Sequence, residues 1–145
     1  MSTEADHIAL ANKNHAVLSH LLKDFETFPE WVTVAAFYKA VQVVEAVFVK
    51  NQGRCCHGHQ KRLESLKRCG YRDLHKHYRA LWGASSVARY LYDTTQDKPY
   101  SCFTDYLTAD QVKKNIAEKR LHGVECCAVG LLSENCKKSL LRVRP

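Results

Sequence analysis

The sequence predicts an all-α fold, an antiparallel bundle of four to five helices. Three observations predict it. Apolar residues recur at spacings of three and four over long stretches. Helix-start signals cut the chain into pieces of helical length. No stretch requires strand pairing.

The first helix is expected from about Thr3 to Phe25. Ile8, Ala11, His15, Leu18, Leu22 and Phe25 form one stripe, and Thr3 stands ready to cap, with Glu4 and Asp6 at the positive end of the dipole. Thr27-Phe28-Pro29-Glu30 has the form of a capping box with a proline in the first turn. The short Glu26–Phe28 link makes the first two helices antiparallel neighbours. The second helix, about Pro29 to Lys50, is rich in valine, but it runs on without a turn signal, and length decides for helix. It is apolar nearly all round and should be central. Its stripe of Trp31, Val34, Tyr38, Val41, Glu45 and Phe48 contains one carboxylate. Glu45 therefore needs a cation, and Arg89 on the fourth helix is the expected one.

Asn51-Gln52-Gly53 ends that helix. A short basic helix, about His59 to Cys69, offers Leu63 and Leu66 to the core and stops at Gly70. The fourth helix, about Asp73 to Tyr92, carries Leu74, Tyr78, Leu81, Ser85, Ala88 and Tyr92 on one side. Asp93 to Tyr106 reads as a loop. Thr108-Ala109-Asp110-Gln111 is another capping box, opening a helix to about Leu132 that Gly123 and Gly130 weaken. One domain over 1–136 and a basic, frayed tail over 137–145 complete the expected organisation.

Composition narrows the class. Hydrophobic residues are 46% and charged residues 26% of 145, the globular norm, which excludes a disordered chain. The most apolar run, Trp31 to Val49, is interrupted by Lys39, Gln42 and Glu45 and falls short of the roughly 20 apolar residues of a membrane span. Met1 to Asp6 is polar and acidic, unlike a signal peptide. The expectation is a cytoplasmic protein with no membrane partner. Seven cysteines, an odd number with two adjacent pairs, suit reduced thiols, and Cys126, Cys127 and Cys136 read as small apolar fillers.

The net charge of +7 is uneven. Residues 1–49 carry −3, residues 50–79 carry +7 and residues 80–145 carry +3. Such a block suits a polyanion such as RNA, DNA or a nucleotide. Arg54, His59, Arg62, Lys67, Arg68, Lys76 and Arg79 are the candidate nucleic-acid-binding residues. Tyr71, Tyr90 and Tyr100 could stack on bases, whereas Tyr78 and Tyr92 fall on the apolar stripe.

Arg72, Asp73 and His77 are the candidate catalytic set. RNA cleavage without a metal needs a base for the ribose 2′-hydroxyl, an acid for the leaving oxygen and a cation for the phosphate. On one helix, residues five apart point about 140° from each other. An Asp73 cap would leave Arg72 outside the helix, free to swing towards His77, while Asp73 pairs with His77 four residues on. Cys55-Cys56-His57-Gly58-His59, with Cys69, His75 or His77, offers zinc-type ligands but no paired Cys-x2-Cys knuckle. No metal and no cofactor are expected. Phosphate loops, nucleophile elbows and His-Glu-x-x-His are absent from the sequence.

Three segments carry a resemblance. Phe37-Tyr38-Lys39-Ala40 running on to Val44-Glu45-Ala46, then His59-x-x-Arg62, then Tyr78-Arg79-x-Leu81-x-x-x-Ser85-x-x-Ala88-Arg89-Tyr90 are similar, in that order, to small bacterial HEPN-like proteins. The resemblance spans roughly residues 7–92. It implies a helical bundle, often a homodimer. It also implies one of two functions: a metal-independent ribonuclease of a toxin or defence system, with an antitoxin or other partner protein, or a non-catalytic module binding RNA, a nucleotide or a partner protein. The nuclease mark, Arg-x(4–6)-His with a polar residue after the Arg, matches Arg72, Asp73 and His77. That hexapeptide lies between the resembling segments, outside them. His59 and Arg62 have the reverse order.

Overall fold

Local signals set most of the helix ends in the computed structural model, which describes all 145 residues. At the start of α1 (Glu4–Leu22), the Thr3 hydroxyl accepts the Asp6 N–H at 3.1 Å and the Asp6 carboxylate accepts the Thr3 N–H at 2.8 Å. The second box is different. Helix α2 (Pro29–Gln52) starts on Pro29 with Phe28 as an uncapped N-cap, because the Thr27 hydroxyl donates backwards to Asp24 instead. Gly53, at φ 70°, ends α2. Helix α3 (His59–Arg68) closes with Gly70 at φ 78°, the Gly70 N–H on Lys67 O and the Tyr71 N–H on Leu66 O. That double bond is a Schellman motif, and only glycine takes the left-handed position in it without strain.

Helix α4 (Arg72–Tyr90) follows at once. A minimal antiparallel ladder then pairs β1 (Tyr92–Asp93) with β2 (Lys98–Pro99) in the register Tyr92–Pro99 and Asp93–Lys98. One helical turn, α5 (Phe103–Tyr106), stands after it. The expected structureless loop is thus a turn-and-ladder unit, anchored where Asp93 Oδ1 accepts both the N–H and the hydroxyl of Thr95. The capping box at Thr108 and Gln111 forms as expected and opens an unbroken helical stretch. It comprises α6 (Ala109–Gln111), a π-helical segment (Val112–Leu121) and α7 (His122–Val129). After a turn over residues 130–133, a separate short helix, α8 (Glu134–Ser139), is capped by Ser133.

Helix α2 is the axis of the bundle, touched by α1, α4, the π-helical segment and α7. It is long and apolar enough to cross a membrane by length and composition, yet 78% of its most apolar window is buried in this bundle. Only its first turns break the expected stripe: Trp31 and Tyr38 are exposed, while Val41, Glu45 and Phe48 are buried. Leu74, Tyr78, Leu81 and Ser85 of α4 face it as expected.

A charge sits at the centre of this core. Lys39, wholly buried, donates to Glu125 Oε1 at 2.5 Å, to His15 Nδ1 at 2.8 Å and to the Leu141 carbonyl at 2.6 Å. Glu125 Oε2 in turn accepts the Val143 N–H at 2.8 Å. Leu140 and Val143 are buried. The expected frayed tail is therefore corrected: residues 140–143 are docked, because two buried charges need their backbone groups and two apolar side chains find cover. Glu4 adds a further tie by accepting the Ser133 N–H. The seven cysteines are unpaired, but not all are fillers: Cys136 is buried, whereas Cys126 is exposed beside His122 and Arg142.

Candidate nucleic-acid interface

The three segments that carry the resemblance converge on one polar cluster. Glu45 does not meet Arg89. Its Oε1 accepts from Arg62 Nε at 2.5 Å, and its Oε2 accepts the Cys56 N–H at 2.8 Å. The α2–α3 turn brings Arg62 inward one helical turn after Gly58, so α3 supplies the cation before α4 can. Arg62 also donates to His59 Nδ1 at 3.0 Å, which leaves the neutral ring with its proton on Nε2. The His59 ring lies 5.1 Å from Phe37 and 5.7 Å from Trp82. Burial, then the charges of Arg62 and Arg89, hold its pKa below the usual histidine value. Tyr78 stands behind, its hydroxyl without a hydrogen-bond partner and its pKa pushed up to about 12 by burial. Arg89 instead donates to Ser85 O and lies 5.9, 5.8 and 5.0 Å from the rings of Phe37, Tyr38 and Tyr90.

Two members of the expected phosphate-binding set, His59 and Arg62, are thereby turned into the bundle. The Arg62 side chain is 12% exposed and engaged by Glu45. Five others stay outside: Arg54, Lys67, Arg68, Lys76 and Arg79 are exposed. They fall on two sides of α3. Arg54 and Arg68, with Lys61, border a cavity of about 420 Å³ between the end of α2 and α3. Lys67, Lys76 and Arg79 border a longer depression on the α4 side.

That depression consists of two adjoining cavities of about 390 and 500 Å³, which share His75, Arg79 and Thr95. Lys67, Gln60 and Trp82 line the first. Lys76, Arg120 and Tyr106 line the second. Arg79 is fixed between them, donating to the Thr95 carbonyl at 2.7 Å. Gly83 lets the loop pass close to α4, since a Cβ there would stand 2.8 Å from Thr95 Oγ1 and 2.9 Å from Asp93 Oδ1. His75, half-buried, is kept below the usual histidine pKa by burial and then by Arg79 and Lys67. The two cavities together present four cations, the carboxylates of Glu64 and Asp93, one half-buried imidazole and one indole face. His75 and Arg120 were not singled out by the charge block. An imidazole one turn before Arg79, on the face flanking Leu74, is the signal that was there to be read.

The catalytic set fares differently. Helix α4 begins at Arg72 itself, with Tyr71 as N-cap, so Asp73 does not cap and Arg72 is helical. Arg72 and His77 then lie about 140° apart around one helix. Asp73 makes no hydrogen bond to His77 and acts on it only through charge. His77 faces the last long helix instead: a Cβ on Gly123 would fall 2.6 Å from its ring, and Arg120 approaches its Nδ1 at 3.5 Å. Gly123 weakens its helix in order to seat this ring. Burial, then Arg120 and Lys76, lower the His77 pKa.

Among the proposed zinc-type ligands, Cys56 Sγ lies 3.6 Å from Ser65 Oγ and His59 is held by Arg62, so adjacent residues point to different partners. Cys55 has a distant partner, His7 Nε2 at 3.2 Å. No protein-family model, curated protein or solved structure matches the chain.

Proposed function

We propose that the chain is an RNA-binding helical-bundle protein of the HEPN-like kind, which grips a single strand along the α3–α4 groove. One observation carries the reading: Lys67, Lys76, Arg79 and Arg120 come from three elements yet line two adjoining cavities that share His75, Arg79 and Thr95. Cations so placed replace the counterions of consecutive phosphates, and Trp82 offers a face for a base. An RNA strand needs no sequence code from such a surface, because phosphate contacts position and do not specify.

Cleavage is the second reading, favoured by His75. A neutral imidazole beside Arg79 can take the 2′-hydroxyl proton while the cation bears the phosphorane charge. The 2′-oxygen then bonds to phosphorus, the bond from phosphorus to the 5′-oxygen breaks, that oxygen takes a proton from water or from the His75 imidazolium, and a 2′,3′-cyclic phosphate results. A homodimer about α3 and α4 would add cations from the other side of the strand.

Fluorescence anisotropy with a labelled single-stranded RNA tests the binding. Reversing Lys67 and Arg79 to Glu should weaken it more than tenfold, and reversing Lys137 and Lys138 should change it less than about twofold. Equal losses from both pairs would leave only general attraction to a basic protein. Incubation with total RNA in EDTA, comparing wild type with His75→Ala and His77→Ala, decides whether cleavage occurs and through which ring. Sedimentation with and without RNA reads the assembly.

A further inference from the structure

We propose that His7, Glu45 and Cys55 form a binding site for a thiophilic divalent transition ion, zinc in the first instance. This inference stands apart from the RNA reading. It joins the first turn of α1 to the centre of α2 and to the α2–α3 turn, three places that no sequence spacing connects.

The donor atoms lie within 4.8 Å of one another. His7 Nε2 and Cys55 Sγ are 3.2 Å apart. Tetrahedral zinc, with bonds of about 2.0–2.1 Å to nitrogen and 2.3 Å to sulfur, holds such a pair roughly 3.5 Å apart. A shift of a few tenths of an ångström brings this pair to zinc spacing, and the Glu45 oxygen, within 4.8 Å of both, closes on the ion as the third ligand. The ring is already in the correct tautomer. His7 Nδ1 donates to Gln42 Oε1 at 2.7 Å, so the Nε2 lone pair faces the thiol. This is the outer hydrogen bond that metal-binding histidines use to fix their orientation. Glu45 is likewise oriented, by Arg62 on one oxygen and the Cys56 N–H on the other, and each oxygen keeps a lone pair.

The chemistry of the set selects the ion. One imidazole, one thiol and one carboxylate suit zinc or cobalt, whereas magnesium and calcium ask for oxygen ligands. Binding replaces the thiol proton by the metal, so one proton leaves for each ion bound near neutral pH. Thiolate and carboxylate together face the two positive charges of the ion and the Arg62 guanidinium, so the loaded cluster keeps a net charge of +1. His7 and Cys55 are half-buried, which leaves the fourth position to water.

Cobalt(II) titration of the full, reduced chain is the test. The expected result is a thiolate-to-cobalt charge-transfer band that saturates at one ion per chain, vanishes on adding zinc, and accompanies release of one proton. Cys55→Ser should abolish the band. His7→Ala should weaken binding at least about a hundredfold, and Gln42→Ala about ten- to a hundredfold as an orienting residue. Cys69→Ser and Cys126→Ser should leave the titration unchanged; the second matters because Cys126 lies 3.3 Å from His122 Nε2 and is the competing pair. Circular-dichroism melts accompany each variant, and zinc should raise the Tm of wild type but not of Cys55→Ser. A band retained in Cys55→Ser, a band lost in Cys126→Ser, or no band in the folded wild type would overturn the proposal.

Discussion

Arg62 and Arg89 show how far one side chain's surroundings decide its worth. Both are arginines on helices that face α2, and the stripe pattern of α2 favoured Arg89 as the partner of Glu45. The pair that forms is Glu45–Arg62, with side chains 4% and 12% exposed. Removing one side of a buried pair leaves the other charge desolvated and costs about 3–5 kcal/mol. Arg89 has ring contacts and a carbonyl bond, an environment worth about 1 kcal/mol. Urea melts should therefore show Arg62→Ala losing about 3 kcal/mol or more and Arg89→Ala about 1 kcal/mol. The reverse order would mean that Glu45 has a different partner in solution. What the residue pattern gave was the need for a cation at Glu45. Its identity depended on how tightly the Gly53–Gly58 turn folds α3 back, which no single residue announces.

At the scale of elements, short-range signals were legible and long-range ones were not. The Thr3 and Thr108 boxes and the Gly70 stop form because each depends on neighbours within five residues. Thr27 misleads because Asp24 competes for its hydroxyl. The π-helical segment Val112–Leu121 left no mark in the sequence pattern. The C-terminal segment was missed for a clearer reason. Lysines, arginines and a final proline resemble a solvated tail, and the partners of residues 141 and 143 stand on α1, α2 and α7. Lys39, a cation on a helix apolar nearly all round, was the available clue. Deleting Leu141–Pro145 removes the Leu141 carbonyl from Lys39, the Val143 N–H from Glu125 and the Val143 carbonyl from His122. We expect a loss of about 3 kcal/mol, whereas Lys137→Ala with Lys138→Ala should cost less than about 0.5 kcal/mol. A deletion costing less than about 1 kcal/mol would show that the segment is not tied down in solution.

The whole molecule carries a pH dependence built from several helices. His15, His59, His75 and His77 all have folded-state pKa values below the ordinary histidine value of 6.5, each chiefly through burial and then through a neighbouring cation. A depressed folded pKa gives stability that is complete above 6.5 and is lost as pH falls towards the folded values, because the unfolded chain takes up the protons first. Glu125 opposes this at lower pH, since burial raises its pKa despite Lys39. Thermal melts should thus show Tm falling from pH 7.5 to pH 5.5. His15→Gln, His59→Gln and His75→Gln together should flatten the slope if they fold. A Tm that is level or rising over that interval in wild type would refute the assignment of neutral, half-buried imidazoles. The groove, the inner Glu45 cluster and the docked C-terminal segment are three separate consequences of packing α2 at the centre.

The Lys39–Glu125 contact also has a meaning in time. The two residues are 86 positions apart in the chain. A ribosome adding about 5–20 residues per second needs roughly 4–17 s to travel that distance. Throughout that interval the helix destined for the middle of the protein carries an ammonium group with no carboxylate to receive it. Burying such a group unpaired costs several kcal/mol, so the nascent α1–α4 bundle has reason to stay open on that side. Closure waits for residues 125–143 to emerge, and the segment made last determines when the helices made first can shut out water.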